Sequence, residues 1–362
     1  MNEKTNKDLY YKKAAGLHRE CFVCDTHWDL APEIFLRRMA GEKNVLKNRY
    51  LDDLKKGGFS LVVSSIFARA EMIPEKGLYE ALSQIASLAD DVDSVSGEVI
   101  LVKNAADLER VIRKEKIGVM LYMEGLDPLG NTKELLRAFY EAGVRGASLT
   151  WSRRNFFAEG CCRAHEYFDV KGGLSALGKE TVPFMEKLGM FIDVSHLNDD
   201  GFAELCAIAE KPFIASHSCA RSVHDNYRNL TDGQIRALAA KGGVIGVNGY
   251  SAIAGAGARD AARWAKLSEH IERIIGLSSY DHAGYGFDIC TPYYEAETHT
   301  ENTPSGDCVA SHGDAIELTA ELLRRGHEES NVKKIIGGNF AGYFRRMLRQ
   351  RSDLYGSYTD RI

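Results

Sequence analysis

The feature that most constrains the fold is a recurrence. Short apolar runs rich in β-branched residues return along the chain, each followed by a longer segment with helical spacing. They are CFVCDTHWD (21–29), FSLVVSSIFA (59–68), IGVMLYMEG (117–125), VRGASLTW (144–151), MFIDVSH (190–196), PFIASH (212–217), GGVIGVNGY (242–250) and AGYGFD (283–288), eight candidate strands in all. Runs apolar on both faces suit strands covered on both sides, and residues 77–94, 132–142, 175–188, 199–210 and 231–241 read as amphipathic helices between them. An open doubly wound sheet shares this alternation. The polar residues separate the two: six of the eight runs end, at the carboxyl side, in a side chain able to bind metal or substrate, where a closed barrel carries its chemistry. The expected fold is therefore α/β, a (β/α)8 TIM-type barrel with an appended N-terminal helix over residues 1–20.

With 362 residues, 44% of them hydrophobic, the chain can bury such a core, and no Gly/Ser/Pro-rich linker or short-period repeat divides it. Residues 1–362 thus read as one domain, with 290–312, which lacks periodicity, as a long functional loop after the last strand. The 46 basic and 51 acidic residues are interspersed and the net charge is -5, which argues against a nucleic-acid partner. The N-terminal 20 residues are charged throughout, without the apolar core of a secretory signal, and no stretch approaches the roughly 20 apolar residues that span a bilayer. Eight cysteines without cystine-dense spacing fit reduced thiols, so a cytoplasmic chain without membrane attachment is expected.

The first run ends in Asp25-Thr26-His27-Trp28-Asp29, where strand alternation turns His27 and Asp29 to one side, able to chelate an ion. By itself such a triplet is more often a polar strand end. Glu124 closes the apolar run VMLYMEG, a costly place for a carboxylate unless it meets a barrel cation or a metal. His196 and His217 stand at matching ends of two successive runs. Histidines and carboxylates without thiolates suit Zn²⁺ in a catalytic, water-bearing site.

In order along nearly its whole length, the chain resembles the membrane (renal) dipeptidase family of the amidohydrolase superfamily. The likeness runs through DTHWDL, MEG, GVRGASLTW, GGLSALGKETVPFMEKLGMFIDVSH, SHSCARSVHDNYRNLTDGQIRALAAKGGVIGVNGY, GYGFD and LLRRGHEESNVKKIIGGNF. The resemblance implies two Zn²⁺ per chain, one held by His27 and Asp29, the other by His196 and His217, with Glu124 bridging. It implies that Arg228 clamps the substrate's free carboxylate, and that Asp288 serves its amine and shuttles a proton to the leaving nitrogen. The activity implied is hydrolysis of dipeptides or dipeptide-like amides by a metal-bridged hydroxide, with a homodimer as a possible assembly.

Two positions depart from the family pattern. Trp151 stands where these dipeptidases usually carry histidine, and Asp288-Ile289-Cys290-Thr291 replaces the usual D-F-D-G. Trp151 is accordingly expected to line the substrate pocket as an apolar wall. It is also the best support for an alternative, an amidohydrolase acting on N-acyl amino acids or lactams. A further alternative is a metal-binding regulatory protein without catalysis, against which stands the retention of every ligand. Cys21-x-x-Cys24 has no second pair and reads as core thiols, Gly337-Gly338-Asn339 as a turn or helix cap, and His299 and His312 as solvent-exposed loop residues. Trp28 fits a pocket wall and barrel-rim packing equally well.

Overall fold

In a computed structural model, which describes residues 3–161, 172–258, 260–300 and 306–348, eight strands join in one parallel sheet. They are β1 (Cys24–Trp28), β2 (Leu61–Ile66), β3 (Val99–Leu101), β4 (Ile117–Met123), β5 (Val144–Ser148), β6 (Phe191–Asp193), β7 (Ile245–Val247) and β8 (Ala283–Tyr285). Their order is β6-β5-β4-β2-β1-β8-β7. The run 212–217 fills the gap between the two ends, bridging Asp193 to Ile214 and Ala215 to Ile245, and so curls the sheet into a barrel. Each of the eight runs read from sequence takes one position in this ring. β3 is an addition that sequence reading missed: it pairs beside the first half of β4, Val99 opposite Ile117 through Leu101 opposite Val119, and β5 takes over from Leu121 onward.

The run 212–217 makes bridges instead of a full strand because side chains replace part of its ladder. Thr26 Oγ1 shares its one proton between the carbonyls of Ser216 (2.6 Å) and Tyr285 (2.8 Å), and the Asp193 carboxylate accepts the backbone N–H groups of Ser195 and Ser216. Gly246 and Gly286 let the backbone come this close, since a Cβ at either would collide with the Ser216 carbonyl oxygen.

Alternation along the strands divides apolar from polar. Leu61, Val63, Met120, Phe191, Ile214 and Val244 form one buried cluster with Phe340 and Phe344 of the helix Asn339–Met347, whereas Val62, Val119 and Leu121 belong to the main core with the surrounding helices. On β4 the face that carries Met120 goes on through Tyr122 to Glu124, so the same periodicity that builds the core delivers a carboxylate to its end.

Two expectations are corrected here. The segment 290–312 contains a helix, Thr291–Thr298, opened by Pro292 in its first turn and burying Tyr293 and Ala296. Its N-terminal amides are satisfied from a distance: Asp307 accepts from Cys290 N (3.2 Å) and Thr291 N (2.9 Å), a cap that a local pattern cannot reveal. His299 is exposed, but His312 is 2% exposed, with Nε2 2.9 Å from the Asp25 carboxylate. Trp28 resolves to packing: it is buried edge-on against Tyr50 and His312. Cys21 and Cys24 are free thiols. Among the described residues, no helix is long and apolar enough to cross a membrane.

The helix Glu3–Glu20 is fastened by His18, whose ring bonds the Gly57 carbonyl (2.6 Å) and Thr319 Oγ1 (2.7 Å). Burial, opposed by the Gly57 bond, pulls its pKa from 6.5 down to about 4. Because the folded value lies below the unfolded one, protonation favours the unfolded chain. The contribution is complete above pH 6.5 and is lost as pH falls toward 4. Thermal unfolding midpoints should therefore drop between pH 7.5 and pH 5, and drop less in His18→Gln; equal slopes in the two proteins would contradict this role.

Candidate active site

Three imidazoles and three carboxylates meet at the carboxyl ends of the strands. Glu124 Oε1 lies 3.0 Å from His196 Nε2, 3.3 Å from His217 Nε2 and 3.6 Å from His27 Nε2. His27 Nε2 lies 3.6 Å from Asp29 Oδ1 and 3.7 Å from Asp288 Oδ1. Two groupings have the spacing of metal ligands: His27, Glu124 and His217, and His27, Asp29 and Asp288. His27 belongs to both. His27 and Asp29 converge at an irregularity: the β1–β2 register shifts between Asp25 and Trp28, and Asp29 stands at the N-cap position of the helix Leu30–Met39 without a side-chain capping bond, its carboxylate left for the site.

The electrostatics of the cluster call for a cation. Burial opposes charge on His27, yet Glu124, Asp29 and Asp288 outweigh it and raise its pKa to about 10. Burial pushes Glu124 up to about 8, against the pull of His27. His196 and His217 are held well below the usual imidazole range, first by burial and then by the positive charges of Arg228 and His27. Two neutral imidazoles beside crowded carboxylates form a donor set that fits a divalent metal.

The tautomer of His217 follows from its neighbours. Ser216 Oγ donates its one proton to Asp193 Oδ2 (2.5 Å), so toward His217 Nδ1, 2.7 Å away, it acts as acceptor. Nδ1 then carries the proton and Nε2 turns a lone pair toward Glu124 and His196, the orientation that a ligand needs. Asp193 also accepts from the Tyr122 hydroxyl at 2.7 Å, so its side chain is saturated. Asp25 Oδ1 accepts from His27 N (3.2 Å) and Phe287 N (2.9 Å), tying the ends of β1 and β8 together. Ser65 Oγ donates to Asp29 Oδ1 at 2.6 Å, and Asn248 Nδ2 donates to Asp288 Oδ2 at 2.9 Å. Sequence reading assigned no role to these supports. Asp25 and Ser216 carried a signal, their places beside His27 and His217 in the motifs; Ser65 and Asn248 stand far in sequence from the carboxylates that they hold.

A cavity of about 620 Å³ opens over the cluster, walled by Asp29, Glu124, His196, Asp288, Arg228 and Trp151 among others. His217 lies buried beneath it. Arg228 is 5% exposed; its Nη1 donates to Ser218 Oγ (2.9 Å), while its buried Nη2 has no partner. An unpaired guanidinium N–H at a cavity wall is a ready partner for an anionic oxygen. Trp151 is 42% exposed and stacks on the His196 ring, with the Arg153 guanidinium over its own face. All eight residues singled out from the sequence therefore converge on one mouth of the barrel.

Residues 11–354 match the family described as membrane dipeptidase, peptidase family M19. Dipeptidase 3 of Mus musculus is 28% identical over 358 residues, which cover 95% of this chain and 68% of that protein. An uncharacterized protein of the pqqA 5' region of Klebsiella pneumoniae is 33% identical over 209 residues, covering 57% of this chain and 77% of its own. Two solved structures share the fold. The dipeptidase AC, a metallopeptidase, superposes with a TM-score of 0.79 at 22% identity, covering 91% of this chain and 99% of its own. A metallopeptidase from Rhodobacter sphaeroides, solved with a phosphinate mimic of the dipeptide L-Ala-D-Ala, gives 0.78 at 22% identity, with 90% and 99% covered.

The support given by Ser216 is open to measurement. Ser216→Ala frees the His217 tautomer and should weaken zinc binding by about ten- to a hundredfold, read by competition with a chromogenic chelator, while circular dichroism stays unchanged. Undiminished affinity would show that the hydroxyl does not orient the ring.

Proposed function

The chain belongs to the membrane dipeptidase family, peptidase family M19, and as a metal-dependent dipeptidase of that family we propose that it is a binuclear zinc enzyme for short substrates carrying a free carboxylate. The observation that carries the reading is the buried, unpartnered Nη2 of Arg228 on the wall of the cavity that holds the ligand cluster. His196, His217 and Glu124 would hold one ion, and His27, Asp29 and Glu124 the other. Zinc held there would supply Lewis acidity and would lower the pKa of water toward neutral.

The rest is done by the chain. Arg228 binds the terminal carboxylate through the nitrogen that no protein group occupies, and so fixes the length of substrate that fits. Asp288, oriented by Asn248 and by the Cys290 thiol at 3.2 Å, serves the substrate amine; it takes the proton of the attacking water and delivers it to the leaving nitrogen. Trp151 has an indole N–H but cannot become a cation, so it acts as a wall of the pocket and not as a charged donor to the carbonyl.

Two measurements test this. Protein purified and saturated with zinc should retain about two ions per chain by mass spectrometry of the digested metal; a reproducible value of one or zero contradicts the binuclear site. In steady-state kinetics on dipeptides, Arg228→Met should chiefly raise KM, whereas Asp288→Asn should chiefly lower kcat. Wild-type behaviour of Arg228→Met on dipeptides would remove the carboxylate clamp and favour an N-acyl amino acid or lactam substrate.

A further inference from the structure

Part of the cavity wall has no task in the chemistry above. Phe67, Tyr293 and Tyr294 line it together, with Phe67 and Tyr293 edge to face at 5.4 Å and Tyr293 and Tyr294 at 5.6 Å. Their place in the ring is informative. Phe67 directly follows β2, and the two tyrosines lie on the helix Thr291–Thr298 that follows β8. β1 runs between β2 and β8 and leads into Asp29. The aromatic wall therefore flanks Asp29 and Asp288, while Arg228 enters from the connection after the run 212–217, across the mouth.

This wall is held in place. The Phe67 backbone is clamped: its N–H donates to Gln84 Oε1 (3.0 Å), and Gln84 Nε2 donates back to the Phe67 carbonyl (2.8 Å), the glutamine being fully buried. The tyrosine helix is capped by Asp307 and gripped by Arg37, whose Nη2 donates to the Pro292 carbonyl at 3.1 Å. The Tyr293 hydroxyl donates to Glu297 Oε1 (2.7 Å), which leaves its ring, not its polar end, as what it presents. Arg69, the nearby cation of the wall, is engaged by Glu80 (2.5 Å) and Glu71 (3.1 Å) and so is not available to recruit an acidic side chain.

We propose that Phe67, Tyr293 and Tyr294 form the subsite for the N-terminal side chain of the dipeptide, and that this side chain is aromatic; the assignment rests on the dipeptidase reading above. The first side chain of a dipeptide shares its Cα with the amine. An amine at Asp288 and a carboxylate across the mouth at Arg228 thus set that side chain against the wall. Fixed ring edges and faces favour another ring over an aliphatic chain of similar area, and a rigid wall spends no binding energy on ordering itself.

The test is kcat/KM of the zinc-loaded full chain on Phe-Ala, Leu-Ala, Ala-Ala and Ala-Phe, repeated in Phe67→Leu and Tyr294→Ala. Tyr294 is 40% exposed, so its truncation removes little packing from the fold. Phe-Ala should exceed Ala-Ala at least tenfold and Leu-Ala about threefold. Each variant should shrink the Phe-Ala to Ala-Ala ratio at least threefold and leave the Ala-Phe to Ala-Ala ratio where it was. A Phe-Ala to Ala-Ala ratio near one, equal rates on Phe-Ala and Leu-Ala, or variants that move the Ala-Phe ratio instead would overturn the subsite while the dipeptidase reading stands. No turnover of any of the four would overturn that reading and the subsite with it.

Discussion

The carboxylate of Glu124, 4% exposed at the end of an apolar strand, is the constraint on which the rest of the mouth depends. A buried carboxylate is tolerated only beside positive charge or strong donors, and here its nearest neighbours are three imidazole nitrogens rather than an arginine or lysine. Two of those imidazoles are kept neutral by burial and by Arg228, so they offer lone pairs instead of protons. Such a group is an unstable arrangement for a purely structural core and a good one for holding cations.

Holding that arrangement takes a second tier of polar residues inside the barrel. Asp193 gathers Tyr122, Ser195 and Ser216 and thereby sets His217, while Asp25 joins the backbones of β1 and β8 and meets His312 from the returning loop. Both carboxylates are fully used, which is the condition under which buried polar networks rigidify a site instead of weakening it. Two residues of the site also carry backbone strain. His196 (φ 71°) and Asp288 (φ 58°) adopt the left-handed conformation that non-glycine residues rarely take, and the surrounding hydrogen bonds hold both there.

The mouth also joins two chemistries that pull in different directions. Charged groups crowd the floor, while the walls carry Trp151, Phe67 and two tyrosines. Apolar walls around a polar floor exclude water and strengthen the electrostatics of the reacting groups, and they give side chains of the substrate a surface to bind.

Much of this was readable in the linear chain. Eight β-branched runs with helices between them point to a parallel sheet, and the polar residues at their carboxyl ends, from His27 to Asp288, are the ones that meet, because the carboxyl ends of parallel strands share one mouth. What could not be read depends on partners far apart in sequence. β3 is too short to show a period, the helix Thr291–Thr298 is capped by Asp307 from the other side of a loop, and His312 is buried by Asp25, 287 positions away. The tautomer of His217, the pairing state of each nitrogen of Arg228 and the aromatic wall are likewise tertiary facts. Periodicity encodes which face a residue presents, but which group stands opposite that face is decided only when the barrel closes.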